Sequence, residues 1–260
     1  MSHIPHRLEV QNATMAYGDK IVLTDLSFNV PQGARVAVVG PNGAGKSTLF
    51  KALVGLLPLR AGCILVHGLP MGSHKDCVAY VPQREEVDWR FPVTVSDVVL
   101  MGRYDHGSWF RPVSSHDKQL VYQSLTQLGI ADLSGRSISE LSGGQQQRVF
   151  LARAVAQEPH ILLMDEPFSG VDMTTQDATL KLLDVLQAAQ VTAMISTHDL
   201  NLAATKFDLI LLLNHRLIAF GKPADVLKQP NLVQAFGPQM LILPDGTAVI
   251  DDWCPPEDHG

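Results

Sequence analysis

Cysteine, basic runs and long apolar stretches are all scarce in this sequence of 260 residues. The 3 cysteines, Cys63, Cys77 and Cys254, are odd in number, and their spacings match no zinc pattern. They are expected to be free thiols in a reducing compartment. No segment approaches the roughly 20 apolar residues that cross a bilayer. The strongest apolar runs, 34–40, 161–164 and 209–213, read instead as buried strands. A role in transport would therefore need another chain to supply the channel. The net charge is −6 and no Lys/Arg run occurs, which argues against nucleic acid as a partner. The first ten residues hold His3, Pro5, His6 and Arg7 but no apolar core, so no signal peptide is expected.

Several segments carry clear structural patterns. Residues 8–17 and 26–31 look like short, partly alternating strands at an edge. Arg35-Val36-Ala37-Val38-Val39-Gly40 is β-branched and apolar, the pattern of a strand buried on both faces. A glycine-rich turn follows, then helical spacing over 46–57. Further buried strands are expected at 161–165 and 192–196, with an amphipathic helix between 172 and 190. Alternating strands and helices predict an α/β fold with a parallel sheet. Between 84 and 140 strand patterning stops and helical patterning takes over, at 95–101 and 116–128, punctuated by Pro82, Pro92 and Pro112. This predicts a discontinuous core, 1–83 and 141–225, with a helical lobe inserted at 84–140. After 220 only a short helical piece at 224–227 and a Pro-rich extension, 226–260, are expected.

Three motifs carry chemistry. Gly40, Pro41, Asn42, Gly43, Ala44, Gly45, Lys46, Ser47 and Thr48 fit the phosphate-loop pattern in its proper context, after a buried strand and before a helix. Glycines let backbone N–H groups close on phosphate oxygens, and the helix N-terminus adds partial positive charge. Lys46 is expected to reach the β- and γ-phosphates and Ser47 to bind Mg²⁺. In Ile161-Leu162-Leu163-Met164-Asp165-Glu166, Asp165 ends a buried strand and is expected to organise Mg²⁺. Glu166, directly after it, can take the proton of an attacking water. Alone, two acids at a strand end read as solvated; beside a phosphate loop they read as catalytic. The third motif is Leu141-Ser142-Gly143-Gly144-Gln145, with Ser142 as N-cap of a helix over 149–157. It is a second anion site, remote in sequence from the first, and suggests a nucleotide held by another copy of the chain.

With these motifs in this order, the sequence resembles the ATP-binding subunits of ABC transporters over about residues 7–225. The resemblance implies a P-loop core of the ABC ATPase type with an antiparallel β edge and the inserted helical lobe. It also implies that Tyr17 stacks on adenine and that Gln83 touches Mg²⁺ and relays to the membrane subunit. Asp172 falls in the dimer-crossing loop, and His198 contacts the γ-phosphate. Gly170-Val171 stand where many members have Ala-Leu. Members close head to tail as a homodimer, so Ser142, Gly143, Gly144 and Gln145 would act in trans on the partner's ATP. The resemblance further implies a polytopic membrane permease, an extracytoplasmic metal-binding protein, and a peripheral place on the cytoplasmic face of the cell membrane.

Val87-Asp88-Trp89-Arg90-Phe91-Pro92-Val93-Thr94-Val95 looks like the branch that imports manganese, zinc or chelated iron, with Arg90 where those members often have Asp. Trp89 and Phe91 are candidates for receiving a helix of the membrane subunit; the alternative is that they are core residues of the lobe. Manganese is the first expectation and zinc the second. A non-transport member, such as an iron–sulfur assembly ATPase, is the main rival; a cassette that has lost catalysis would not keep Lys46, Glu166 and Ser142 together. Asp251, Asp252, Cys254, Asp258 and His259 cluster in the tail, but no spacing there matches a metal site, and a solvated tail is expected.

Overall fold

The computed structural model describes residues 8–71, 73, 77–83, 92–104, 112–237, 240–242 and 248–250. The chain begins with the strands β1 (Leu8–Tyr17), β2 (Lys20–Val30) and β3 (Arg35–Val39), then helix α1 (Lys46–Leu53). Strands β4 (Leu59–Val66), β5 (Leu69–Pro70) and β6 (Val78–Val81) follow. Next come α2 (Val95–Leu100), α3 (Ser115–Gln127), α4 (Gly143–Ala156), β7 (Ile161–Met164), α5 (Met173–Ala188), β8 (Thr192–Thr197) and α6 (Leu200–Lys206). The last elements are β9 (Leu209–Leu213), β10 (Leu217–Gly221), α7 (Pro223–Val226), α8 (Gln229–Phe236), β11 (Met240–Ile242) and β12 (Ala248–Ile250).

Six strands form the central sheet in the order β10-β9-β3-β8-β7-β6, parallel except for β10. A second sheet, β2-β1-β4-β5, is antiparallel throughout. β3 shows why both faces of the central sheet are apolar. Val36 and Val38 enter a core shared with the antiparallel sheet and with Leu49, Phe50 and Leu53 of α1. Ala37 and Val39 enter a second core packed by α2, α3, α4 and α5. The layers are thus sheet, sheet and helices, and a strand between two apolar layers has no polar face to alternate.

The antiparallel strands depart from the sequence reading. β1 lies between β2 and β4, not at an edge. Register shifts between Val10 and Ala13 put Leu8 and Val10, then Ala13 and Met15, on one buried face. Bulges of this kind insert a residue and invert the alternation. A matching irregularity at Asp25 separates buried Leu23 from Leu26, Phe28 and Val30, which is why the visible alternation begins at 26 while β2 begins at Lys20. Asn12 and Asp25 both have left-handed φ, and Asn12 Nδ2 donates to Asp25 Oδ1 at 2.9 Å. α1 stops at Leu53 and does not run to 57. The Leu56 N–H reaches Lys51 O at 2.8 Å and Gly55 N–H reaches Ala52 O at 3.0 Å, the paired bonds of a Schellman end.

Within 84–140 the described residues hold α2, α3 and short 3₁₀ turns, with only an isolated bridge, Thr94 to Ser137, in place of strands. Thr94 with Asp97, and Ser114 with Asp117, close reciprocal caps at the starts of α2 and α3. Among the described residues beyond 220 there is more regular structure than the prolines suggested. Pro230 lies in the first turn of α8, where a missing N–H costs nothing, and Leu232 and Ala235 are buried. β11 and β12 then pair antiparallel. Cys63 and Cys77 form no disulfide. Trp89, Phe91 and the acidic, Cys254-containing tail lie outside the described residues.

Candidate functional site

The loop from Gly40 to Thr48 joins β3 to α1 at the C-terminal end of the central sheet. Gly40 has no room for a side chain, because a Cβ there would collide with the Leu213 carbonyl oxygen of β9. Asn42, Gly43, Ala44, Gly45, Lys46, Ser47 and Thr48 line a cleft together with Val22, Gln83 and Glu166. Lys46 is 6% exposed, and its Nζ donates to Gly40 O at 2.9 Å and Pro41 O at 3.2 Å. Its ammonium also lies 3.8 Å from Glu166 Oε1. Burial pushes the Lys46 pKa down, and the Glu166 and Asp165 carboxylates oppose that shift.

β7 delivers the two acids from the other side of β8. Asp165 is 2% exposed, and Ser196 of β8 holds it: Oγ donates to Asp165 Oδ1 at 2.5 Å. The same Oγ accepts from the Glu166 N–H at 2.8 Å. Tyr80 OH approaches Asp165 Oδ2 at 3.5 Å. Glu166 has φ +47, so the chain turns sharply after Asp165. Its carboxylate accepts from Ser169 Oγ at 2.9 Å and lies 3.7 Å from His198 Nδ1. A second hollow, adjoining the first at Glu166, is lined by Ser169, Gln176, Ser196, His198 and Asp199 among others. The His198 ring is largely exposed there. Glu166 thus stands between a cationic amine and an imidazole.

Ser196 was missing from the residues the sequence singled out. A serine near the end of an apolar strand reads as a strand residue; only the fold reveals that it bridges both acids. Ser196→Ala should strand the buried Asp165 oxygen and the Glu166 amide, at a cost of about 1–3 kcal/mol. Urea unfolding should read this as a lower midpoint with unchanged slope; an unshifted midpoint would mean the bridge contributes nothing to the fold.

Asp165, Gln83 and Ser47 offer carboxylate, amide and hydroxyl oxygens, a hard donor set of the kind that holds magnesium. Ser47 and Gln83 line the cleft, and Asp165 is close enough for its charge to bear on Lys46. The residues therefore fit a nucleotide with its divalent ion. Tyr17 is about half exposed at the β1–β2 turn, and Val22 is the residue of that hairpin that reaches the cleft lining.

Ser142, Gly143, Gly144 and Gln145 line neither hollow. They form the cap and first turn of α4, which begins at Gly143, six residues before the helix expected from the sequence. Ser142 Oγ accepts from Gln145 N–H at 3.3 Å, and Gln145 Oε1 accepts from Ser142 N–H at 2.9 Å. Asp172 caps α5 in turn, accepting from Thr175 N–H at 2.7 Å. That amide hydrogen bond holds the Asp172 carboxyl below its usual range. The two helix starts meet at Gly144, where a Cβ would strike Thr175 Oγ1 and stand 2.8 Å from Asp172 Oδ2.

The family model described as ABC transporter matches residues 23–169. The zinc transport system ATP-binding protein TroB of Treponema pallidum is 45% identical over 237 residues, 91% of this chain and 89% of that protein. The manganese transport system ATP-binding protein MntB of Bacillus subtilis is 45% identical over 238 residues, covering 92% and 95%. The chelated iron transport system protein YfeB of Yersinia pestis is 42% identical over 260 residues, covering 97% and 88%. Among solved structures, CbiO1 from Clostridium perfringens, part of the ABC transporter complex CbiONQ, superposes with a TM-score of 0.75 at 26% identity, over 88% of this chain and 94% of that one. No helix among the described residues is long and apolar enough to cross a membrane.

Proposed function

The chain belongs to the ATP-binding subunits of ABC transporters, and on that footing we propose that it powers uptake of a divalent metal, manganese before zinc, through a separate membrane subunit. It is an ATPase of that family. The observation that carries the mechanism is the placing of Glu166 between Lys46 and His198, at 3.8 Å and 3.7 Å. Glu166 accepts the proton of the attacking water, Lys46 neutralises phosphate charge, and His198 contacts the γ-phosphate. Tyr17 stacks on the adenine. Ser47, Gln83 and Asp165 would hold magnesium, which would neutralise charge on the phosphates when bound.

Two copies close head to tail in this reading. The α4 start of one subunit, Ser142 to Gln145, then faces the nucleotide of the other, with Asp172 in the loop that meets the partner. Support comes from the separation within one subunit: the capped α4 start lines neither hollow at Glu166. Donors from both subunits surround the phosphates only in the closed dimer, and closure pulls on the membrane subunits at the cytoplasmic face of the membrane. Trp89 and Phe91 are assigned to docking that membrane subunit, and an extracytoplasmic protein delivers the metal to it.

The cargo is supported by relatives named for zinc, manganese and chelated-iron transport, and by the stretch Val87 to Val95. Those names also weigh against iron–sulfur assembly. The test is uptake of labelled manganese and zinc by cells whose only copy of the gene is intact or carries Glu166→Gln. Manganese uptake should collapse in the variant. Loss of zinc uptake alone would reverse the order of cargoes, and unchanged uptake of both would overturn metal import.

A further inference from the structure

Far from the nucleotide, at the opposite ends of β6 and β7, three metal-binding side chains converge. We propose that His67, Cys77 and His160 form a binding site for a borderline-soft divalent cation, zinc first. One ligand atom from each lies within 4.8 Å of the others. His160 Nδ1 and His67 Nε2 are 2.9 Å apart, with the rings nearly perpendicular at 81°. Zinc bonds of about 2.0–2.1 Å to nitrogen and 2.3 Å to sulfur, set tetrahedrally, space two nitrogens about 3.3 Å apart and nitrogen from sulfur about 3.6 Å. The two nitrogens now share a hydrogen bond, and an ion would replace it, opening their spacing by a few tenths of an ångström and turning both rings toward the ion.

All three are carried on ordered backbone. His160 N–H donates to Cys77 O at 2.9 Å, and the next residues, Val78 and Ile161, are paired in the parallel ladder. This fixes Cys77 and His160 side by side at the heads of β6 and β7. His67 comes from the other sheet. It is the first residue of the two-residue His67-Gly68 turn closing β4 on β5, with Val66 paired to Leu69. Both turn residues have positive φ, 56° and 76°, the tight hairpin geometry that matches strand twist.

Two nitrogens and one sulfur leave a fourth tetrahedral position for water or another donor, as in open zinc sites. Thiolate selects zinc over manganese or magnesium, so the site is chemically distinct from the oxygen donors at Asp165. Binding releases the Cys77 thiol proton. An occupied site ties the β4–β5 hairpin to the strands that lead, some 16 Å further on at about 3.3 Å per residue, to Asp165 and Glu166. The site goes beyond the transport reading and does not depend on it, since the ion is held by the ATPase chain whatever crosses the membrane.

The experiment uses the purified, nucleotide-free full chain and cobalt as a coloured stand-in for zinc. The intact chain and a Cys63→Ser/Cys254→Ser variant should both show a thiolate-to-cobalt charge-transfer band that zinc displaces. Cys77→Ser should lose the band, and His67→Gln should weaken binding at least tenfold. Zinc at a hundredfold excess over its Kd should raise the Tm of the intact chain by roughly 5–10 °C. Where Cys77→Ser also loses ATP binding, and so has misfolded, His67→Gln decides. A band that survives Cys77→Ser, one that vanishes with Cys63 and Cys254, or none in the intact chain overturns the site. An equal rise in Tm with manganese overturns the choice of ion.

Discussion

Glu166→Gln is expected to slow ATP hydrolysis by about 10²–10⁴-fold, the usual contribution of a general base. The amide keeps an oxygen to accept from Ser169 Oγ and keeps the side-chain length, but it cannot take a proton from water. It also removes the negative charge 3.8 Å from Lys46. That charge opposes the loss of the lysine's proton and would repel a phosphate group, so ATP binding should be unimpaired or tighter. Size-exclusion chromatography with ATP should then show a trapped dimer that the intact chain does not accumulate. Turnover near the intact rate would remove Glu166 from the role of base.

Gly144→Ala is expected to cost about 10²-fold in turnover while leaving nucleotide binding to the isolated subunit within a few-fold. The added Cβ collides with Thr175 Oγ1 and presses on Asp172 Oδ2, so the starts of α4 and α5 must part. Thr175 is fully buried and cannot swing away into solvent. Neither start belongs to the cleft that holds this subunit's own Lys46 and Ser47. Losing one preorganised donor to transition-state charge costs roughly 10²–10³-fold in other enzymes, the scale expected if these amides face the partner's phosphates. The decisive comparison is the double variant Glu166→Gln/Gly144→Ala. It should bind ATP and stay monomeric, and a trapped dimer as abundant as with Glu166→Gln alone would detach the α4 start from the dimer contact.

The strand, loop and helix around the candidate nucleotide site were legible because their signals are local. Arg35 to Gly40 announced a strand buried on both faces, and Gly40 to Thr48 announced the turn and the helix behind it. Asp165 and Glu166 follow their strand directly. What escaped depends on residues distant in sequence. Ser196 acquires its role only because β8 lies between β3 and β7. β4 was hidden because Arg60, Ala61 and Gly62 are exposed and break its alternation, and the start of β2 was hidden by the irregularity at Asp25. The cysteines, weighed only against one another, matched no metal spacing; Cys77 acquires two histidine neighbours once β4, β6 and β7 are assembled.

The left-handed backbone at Glu166 has a further meaning. A residue with a β-carbon gives up roughly 1–2 kcal/mol in that conformation, which glycine adopts freely. The backbone conformation by itself therefore disfavours glutamate at this corner. In the proposed reaction this residue is the base, so a side chain on which turnover is expected to depend sits at one of the chain's left-handed non-glycine positions, and a search for greater thermal stability would tend to select it away.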